Sequence, residues 1–416
     1  MKEKNTLGTT IPLEEMAKGF RENICAEEII KIIGDLVSIP SHPGVHEQET
    51  QAARYIHQFF KEKGIESDLS HVIDGRHNVI ARIPGKGQGY SLLLTGHLDT
   101  VPPYDMPDPF ELKRENGKVV GRGVVDMKGP LACMIYAMAL IKECSLALSG
   151  DLIFAGVVGE ETDCQGTMDL LYNGLSPDGA VVGEPTNLHI GVGHRGLEWL
   201  EFYFPGKAVH GGAQEKGINA ISHAVTFINR LNRDLIPQIE KRTHPVIGCS
   251  SMNLGVIKGG TQPSTVAHEC FLQIDRRWVP GEKYPDVVNE YQRILTCLHQ
   301  EDENFTGYLR SMSALPGLKY PFVCEPLEID PHHPLVHIAQ QALRSATGKK
   351  SELVPFPAWT DGGLLSTYGQ IPTIILGPGD FTSAHTAKEY LEVAQVVPGA
   401  LAYSLLAASF CSRKKL

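Results

Sequence analysis

The pattern of hydrophobic and polar positions predicts an α/β region built from two kinds of segment. Short, fully apolar runs alternate with longer segments in which apolar residues recur at helical spacing. Such runs are typical of strands buried on both faces, with helices covering the sheet on each side. The predicted helices are 26–39, 47–63 and 130–144, and the predicted strands are 78–83, 91–94, 152–158, 180–182 and 373–376.

The middle of the chain follows a different pattern. Residues 196–204 alternate between apolar and polar side chains, which is typical of a half-exposed strand. The elements then run as helix 219–233, strands 252–257 and 267–275, helix 286–299 and strand 305–311. This β-α-β-β-α-β order is that of a ferredoxin-like unit. We therefore predict an α+β domain, residues 193–312, inserted into a larger domain formed by residues 1–192 and 313–416.

Composition narrows the function classes. The 416 residues carry 38 basic and 48 acidic side chains, a net charge of −10, which argues against binding to nucleic acid or to a membrane surface. The N-terminus has no apolar core typical of a signal peptide, and no apolar stretch is expected to approach the roughly 20 residues of a membrane helix. The nine cysteines form no CxxC pair, as expected for reduced thiols. These features predict a soluble cytoplasmic protein.

Candidate catalytic chemistry follows the predicted strands. In an open α/β sheet, ligands bind beyond the carboxyl ends of the strands. Acidic and imidazole side chains come directly after several of the apolar runs, and one more acid lies in the loop GRGVVDMKG. The group consists of His97, Asp99, Asp126, Glu160, Glu161, Glu184 and His385.

A crowd of carboxylates needs a compensating charge, which a divalent cation supplies. A set of His, Asp and Glu without Cys suits zinc, and also cobalt or manganese. Five side chains are too many for one metal site with an open position, so two metals sharing one carboxylate fit the number better. The candidate ligands are His97, Asp126, Glu161, Glu184 and His385.

Two further carboxylates complete the predicted site. Asp99 follows His97 by two residues and lies on the same side of an extended backbone, where it can orient the imidazole. Glu160 stands beside a candidate ligand, which suits a general base. Taken singly, an HxD pair, a GEE sequence or a lone histidine is more often structural; their joint position after buried strands favours the metal site.

The motifs GHLDTVPP, GRGVVDMKGPLA, GEETDCQGT, GEP and the final GPGD with AHTAKEY resemble those of a known group of dizinc hydrolases. This is the family of acetylornithine deacetylase, succinyl-diaminopimelate desuccinylase, aminoacylase and glutamate carboxypeptidase. The resemblance implies a catalytic domain with a mixed, mostly parallel sheet and an inserted lid and dimerisation domain. It also implies that His97 and Glu184 bind one zinc, Glu161 and His385 the other, and that Asp126 bridges them.

The same resemblance assigns further roles. Glu160 corresponds to the general base, Asp99 to the residue that orients His97, and the peptide bond Asp126–Met127 to one that is cis in the family. In the inserted domain, His210 corresponds to a histidine that reaches the active site of the partner subunit in a homodimer. There it would help to stabilise the tetrahedral oxyanion.

Substrate recognition is less well determined. The family's DxR register falls on Asp275 and Arg277, so Arg277 is expected to bind the substrate carboxylate, with Arg276 as the alternative if the register slips. In GGTQPSTVA, Ser264 stands where the family has Asn, and Ala267 stands where it has Pro. This departure leaves the identity of the substrate open, while the metal chemistry is unaffected.

These features predict a metal-dependent amidohydrolase that cleaves the amide of an N-acyl amino acid. The main alternative is a dipeptidase or carboxypeptidase of the same family, acting on a dipeptide-like substrate. A non-catalytic protein that binds a small molecule is the third interpretation; it is disfavoured because neither Glu160 nor any ligand is lost.

Overall fold

The computed structural model describes residues 12–313 and 317–415, so the expectation about the N-terminal residues falls mostly outside the described range. The helices α1 to α11 are Leu13–Asn23, Ala26–Val37, Thr50–Glu62, Lys128–Glu143, Gln165–Tyr172, Ala220–Arg230, Ile236–Ile239, Tyr284–Glu301, Pro334–Thr347, Gly362–Thr367 and Val393–Cys411. The strands β1 to β9 are Glu66–Ile73, Arg76–Ile83, Leu92–His97, Lys113–Glu115, Lys118–Val120, Leu152–Val157, Gly179–Val182, Ile190–His194 and Gly196–Pro205. The strands β10 to β18 are Thr243–His244, Gly248–Cys249, Ser251–Gly259, Glu269–Trp278, Tyr308–Ser311, Leu327–Glu328, Leu353–Pro355, Thr373–Ile375 and Tyr390–Glu392.

The largest sheet is mixed, with its parallel strands at the centre. Its order is β1-β2-β6-β3-β7-β17-β8-β15, and β16 also pairs with β8. Strand β3 is parallel to both β6 and β7, and β17 is parallel to β7, whereas β1, β2, β8 and β15 pair in antiparallel fashion. The four parallel strands therefore end at one edge of the sheet.

Both faces of this sheet are covered, which gives the three layers that the sequence predicts. On one face, Leu93 of β3 packs in a buried cluster with Leu170 of α5 and Leu365 of α10. On the other face, the ring of Phe154 in β6 lies 5.3 Å from that of Phe60 in α3. Successive strand residues point to opposite faces, and so an uninterrupted apolar strand is needed where both sides are buried.

The inserted region forms a separate antiparallel sheet. Its order is β12-β13-β9-β14, and helices α6 and α8 pack on one face. Alternate residues of β9, such as Leu200, Phe202 and Phe204, join a core with Phe227 of α6 and Leu295 of α8. The chain order and the strand order are those of a ferredoxin-like unit, as predicted.

The described residues divide into two compact units. One contains the chain up to Val192, Ile329–Phe356 and the chain from Thr360 onwards; the other contains Gly193–Glu328 and Pro357–Trp359. From the sequence, the second boundary is expected earlier, at 312/313. The difference has a local cause, since the Met312 N–H donates to the Trp199 carbonyl and the Leu197 N–H donates to the Cys324 carbonyl, which keeps the following segment beside β9.

Helix α11 corrects one expectation from the sequence. Its 19 residues contain no charged side chain, so a stretch of nearly membrane-spanning length does exist. It is the one such helix among the described residues, and 67% of its most apolar 18-residue stretch is buried inside the protein. A core helix surrounded by protein shows little amphipathic period, so no helical spacing of apolar residues marks α11 in the sequence.

Candidate metal centre

Three of the five candidate ligands, His97, Glu161 and Glu184, lie where buried parallel strands end. His97 is the last residue of β3, and all six residues of this strand are buried. Glu160 and Glu161 follow the end of β6 by three and four residues, and Glu184 follows β7 by two. Because β3, β6 and β7 are parallel neighbours, their carboxyl ends bring these side chains to one edge of the sheet.

Asp126 stands between two pairs of side chains. Its Oδ1 lies 3.0 Å from His97 Nε2, and its Oδ2 lies 3.2 Å from His385 Nε2. His97 Nε2 is also 3.6 Å from Glu184 Oε1, while His385 Nε2 is 3.0 Å from Glu161 Oε1. The two oxygens of one carboxylate thus face two separate histidine–glutamate pairs. The peptide bond between Asp126 and Met127 is cis, as the resemblance implies.

Asp99 acts on both His97 and the following loop. His97 Nδ1 lies 2.9 Å from the Asp99 carbonyl and 3.5 Å from its carboxylate, so the backbone supplies the shorter contact. The carboxylate accepts backbone N–H groups from Gly159, Glu160 and Glu161 at 3.2, 3.2 and 3.0 Å. Asp99 therefore orients the histidine and also fixes the loop that carries the two glutamates.

The electrostatics of the cluster are those of crowded, buried anions. Burial raises the pKa of Glu160 and of Glu184 well above the ordinary value, and neighbouring carboxylates add to the effect. Burial also acts to raise the pKa of Asp126, but hydrogen bonds from His385 and His97 outweigh it and hold this pKa below its usual range. The hydrogen bonds with Asp126 and Glu161 raise the pKa of His385 to about 10.

The residues present fit a bound cation. One ligand atom each from His97, Asp126 and Glu161 lies within 4.8 Å of the others, a spacing that one divalent ion can span. The donors are imidazole nitrogens and carboxylate oxygens, a combination that suits zinc, cobalt or manganese. A positive ion here would oppose the burial and carboxylate repulsion that raise the pKa of Glu160 and of Glu184, because it favours their charged forms.

The inserted unit brings two of the predicted residues together. His210 and Ser264 are both exposed, and the Gly211 N–H between them donates to the Ser264 carbonyl at 2.8 Å. His210 Nδ1 accepts the Gly212 N–H at 3.0 Å. In the neutral ring this contact assigns the proton to Nε2, which is then the donor atom of the ring.

The two candidate arginines differ in environment. Arg276 is fully buried, and its Nη2 lies 2.7 Å from Glu282 Oε2. Arg277 is partly exposed, and its Nε and Nη2 bind the two carboxylate oxygens of Asp275 at 2.7 and 3.0 Å. Of the two, Arg277 is the one whose side chain solvent reaches, and it stays the preferred prediction for a substrate contact.

Glu389 holds the loop of Asp126, a role that no sequence pattern predicts. Glu389 is buried and pairs with Arg122 at 2.6 Å. Its carboxylate also accepts the backbone N–H groups of Gly123, Val125 and Asp126 at 3.0, 3.0 and 3.2 Å. A charged residue four positions after His385, within AHTAKEY, was the only signal available in the sequence.

Comparison with known proteins assigns the family. The sequence profile of peptidase family M20/M25/M40 matches residues 93–409, well over half of the chain. The chain belongs to this family. It is therefore a hydrolase that acts on amide bonds, and the predicted dizinc-hydrolase resemblance is confirmed at the level of the family.

The curated relatives include two enzymes named as deacylases. The chain is 31% identical to N-formyl-4-amino-5-aminomethyl-2-methylpyrimidine deformylase of Bacillus subtilis (strain 168), over 94% of this chain and 96% of the relative. It is 27% identical to the probable succinyl-diaminopimelate desuccinylase of Staphylococcus epidermidis, over 88% and 93%. Hydrolysis of an N-acyl amide is thus confirmed as the reaction class, and it fits better than the dipeptidase alternative.

A solved structure supports the fold. Aminopeptidase PepT from Bacillus cereus superimposes with a TM-score of 0.77 at 21% identity, covering 93% of this chain and 99% of that one. At 21% identity, the structural similarity is evidence for the fold alone. It confirms the predicted α/β architecture with its mixed sheet.

Proposed function

We propose that this chain is a dinuclear metal-dependent deacylase, which releases the acyl group of a small N-acyl amino acid or a related N-acyl amine. The observation that carries the proposal is the position of Asp126, whose two oxygens face two separate histidine–glutamate pairs. A single carboxylate in this position is suited to bridging two ions. The names of the two curated relatives support deacylation.

The ligand assignment follows the observed pairs. His97 and Glu184 would hold one ion, His385 and Glu161 the other, and Asp126 both. Zinc is the proposed metal, with cobalt or manganese as functional substitutes, because the donor set is nitrogen and oxygen without sulfur. When bound, such a pair of ions acidifies water and polarises the acyl carbonyl.

Glu160 is the proposed general base. It adjoins Glu161, burial and nearby carboxylates raise its pKa, and no metal-ligand role is assigned to it. A carboxylate beside the attacking water can take its proton and return it to the leaving amine. Asp99 supports this role by binding the Glu160 N–H.

The inserted unit is proposed to recognise the substrate. His210 would donate its Nε2 proton to the developing oxyanion, and Arg277 would bind the substrate carboxylate in a two-pronged contact. Ser264 lies beside His210 through the Gly211 hydrogen bond, which makes it a candidate contact. Arg276 is the alternative carboxylate-binding residue, although its pairing with Glu282 makes it the weaker one.

We further propose that the chain forms a homodimer through the inserted unit and acts in the cytoplasm. Strand β12 is an edge strand, and Leu254, Val256 and Ile257 on it are exposed. Helix α6 of the same unit exposes Ile221 and Val225. An apolar edge strand with free backbone groups is suited to pairing with a second copy.

A substrate panel tests the proposal. Metal-depleted protein is reloaded with Zn²⁺ and incubated with N-formyl, N-acetyl, N-succinyl and N-carbamoyl amines and with dipeptides, and the released acid and amine are quantified. We expect turnover of at least one acyl amine, loss of activity with a chelator, and recovery with Zn²⁺ or Co²⁺. Turnover of dipeptides alone would favour the peptidase, and full activity without metal would refute the proposal.

A further inference from the structure

A buried arginine lies behind the loop that carries Glu160 and Glu161. We propose that this residue, Arg76, is a positioning residue for the loop, which it holds through Asp163 while Glu49 holds Arg76 in place. The inference rests on the proposed function, in which Glu160 is the base and Glu161 a metal ligand.

All three guanidinium nitrogens of Arg76 have acidic partners. Nε and Nη2 donate to the two oxygens of Glu49 at 2.9 and 2.6 Å, and Nη1 donates to Asp163 Oδ2 at 2.9 Å. The Glu49 side chain is fully buried, and 9% of the Arg76 side chain is exposed. Because the planar guanidinium group binds Glu49 on one side and Asp163 on another, its orientation is fixed. The single ammonium group of lysine cannot reproduce both contacts.

Asp163 transmits this constraint to the backbone of the loop. Its N–H donates to the Gly159 carbonyl at 2.8 Å, which closes a turn around Glu160 and Glu161. Gly159 has a φ of +84°, and a Cβ there would lie 2.8 Å from Arg76 Nη2. The loop backbone therefore packs directly against the guanidinium group, which only glycine permits at this position.

Strand β2 holds the same loop at a second point. Asn78, two residues after Arg76, accepts the Val158 N–H at 3.0 Å and donates to the Gly166 carbonyl at 2.9 Å. Residues two apart on a strand point to the same side. The side of β2 that carries Arg76 and Asn78 thus binds the beginning, the middle and the end of the segment that contains the proposed base.

Arg76 also compensates the negative charge of the carboxylates around it, in addition to packing against the loop. Among the described residues, Arg76 is the only ion-pair partner of Glu49 and of Asp163. Its charge also acts on Asp99, whose carboxylate binds the loop N–H groups. A single ammonium group cannot pair with both carboxylates as the guanidinium does, so lysine leaves one of them without its partner and shifts the groups that it holds. A small displacement of the base and ligand is expected to slow turnover more than it weakens substrate binding.

The test compares Arg76→Lys with Arg54→Lys. Arg54 forms a more exposed ion pair with Glu47 nearby, so it controls for the loss of a guanidinium group in this region. We expect kcat of Arg76→Lys to fall about 10- to 100-fold with KM changed less than about twofold, a range typical of residues that support ligands. Arg54→Lys should retain both constants.

Two further measurements exclude a merely structural role. In the metal-free protein, the amide hydrogens of Gly159, Glu160 and Glu161 should exchange faster in Arg76→Lys, while core amides of the same sheet, such as that of Leu93, keep their wild-type rates. In the Co²⁺-loaded protein, the absorption bands of folded Arg76→Lys should shift, and those of Arg54→Lys should not. Asp163→Asn keeps an oxygen for Nη1 and should retain more activity than Arg76→Lys.

The outcomes separate this inference from the proposed function. The role of Arg76 would be overturned if Arg76→Lys kept the wild-type kcat, amide exchange and Co²⁺ absorption. It would also be overturned if amide exchange became faster throughout the largest sheet, because this indicates general destabilisation. If the wild-type protein hydrolyses no member of the substrate panel, the proposed function fails. The local amide exchange of the metal-free variants still decides whether Arg76 orders the loop.

Discussion

The candidate residues of the two units differ in burial and in how they are held. In the larger unit the candidate ligands are mostly buried and lie 3.0–3.6 Å from one another, at the ends of strands and in loops bound by Asp99 and Glu389. In the inserted unit, His210 and Ser264 are exposed and are held by hydrogen bonds from the neighbouring residues Gly211 and Gly212. The proposed function thus assigns fixed chemistry to one unit and adaptable recognition to the other. Substitutions in the first should abolish turnover, and those in the second should reduce it.

The largest effect is expected from Asp126→Ala. Its carboxylate faces both histidine–glutamate pairs, so its loss removes the proposed shared ligand of two ions. We expect bound metal, measured by elemental analysis, to fall from two ions per chain to at most one, with activity below detection. The exposed Glu66→Gln serves as a control for removing a negative charge. Two retained ions would show that Asp126 does not bridge.

A slightly smaller loss is expected from Glu160→Ala. General acid–base catalysis typically contributes about 10²–10⁴-fold, so kcat should fall by about 1,000-fold. Metal content should stay at the wild-type value, since Glu160 is assigned no ligand role. A variant that is active at more than a tenth of the wild-type rate would rule out Glu160 as the base.

His210→Ala should have an intermediate effect. Removing one oxyanion donor costs about 10²–10³-fold in kcat. Mixing His210→Ala with Glu160→Ala tests where this residue acts. If His210 serves the partner subunit, a mixed dimer has one complete site, formed by Glu160 of the His210→Ala chain and His210 of the Glu160→Ala chain. Half of the dimers in an equal mixture are mixed, so the mixture should regain up to about a quarter of the wild-type activity. No recovery in verified mixed dimers would assign His210 to its own chain.

The smallest effect is expected from Arg277→Lys. Lysine keeps the charge but loses the two-pronged contact, so KM for a substrate with a carboxylate should rise about tenfold, which corresponds to about 1.4 kcal/mol. A substrate without the carboxylate should show no such change. Equal effects on both substrates would indicate that Arg277 supports the sheet through Asp275 instead of binding substrate.

Local sequence was enough to predict the strand-end cluster. The apolar runs that end in HLD, GEE and GEP predict a strand, and the candidate site residues follow within a few positions. Parallel pairing of the strands then brings their ends together. The same reasoning found the ferredoxin-like unit, because its strands alternate clearly. Element ends were less accurate: the helix predicted from residue 47 begins at Thr50, and the strand predicted from 305 begins at Tyr308.

The supporting contacts could not be read from the sequence. Glu389 reaches Val125 across 264 residues, and Arg76 reaches Asp163 across 87. No local pattern distinguishes such residues from solvated charged residues, because the residues around them in the sequence do not indicate their distant partner. Helix α11 was missed for a related reason: burial on all sides removes the period that identifies a surface helix.

The sequence by itself determined which side chains stand at the ends of buried strands, and hence that a cation-binding hydrolase was the favoured interpretation. Only the tertiary structure decided that the two oxygens of Asp126 face different histidines, and that Asp99, Glu389 and Arg76 hold the loops around them. Hydrophobic periodicity is a property of neighbouring residues in the chain. Charge compensation in a buried site depends on distances between residues that folding alone brings together.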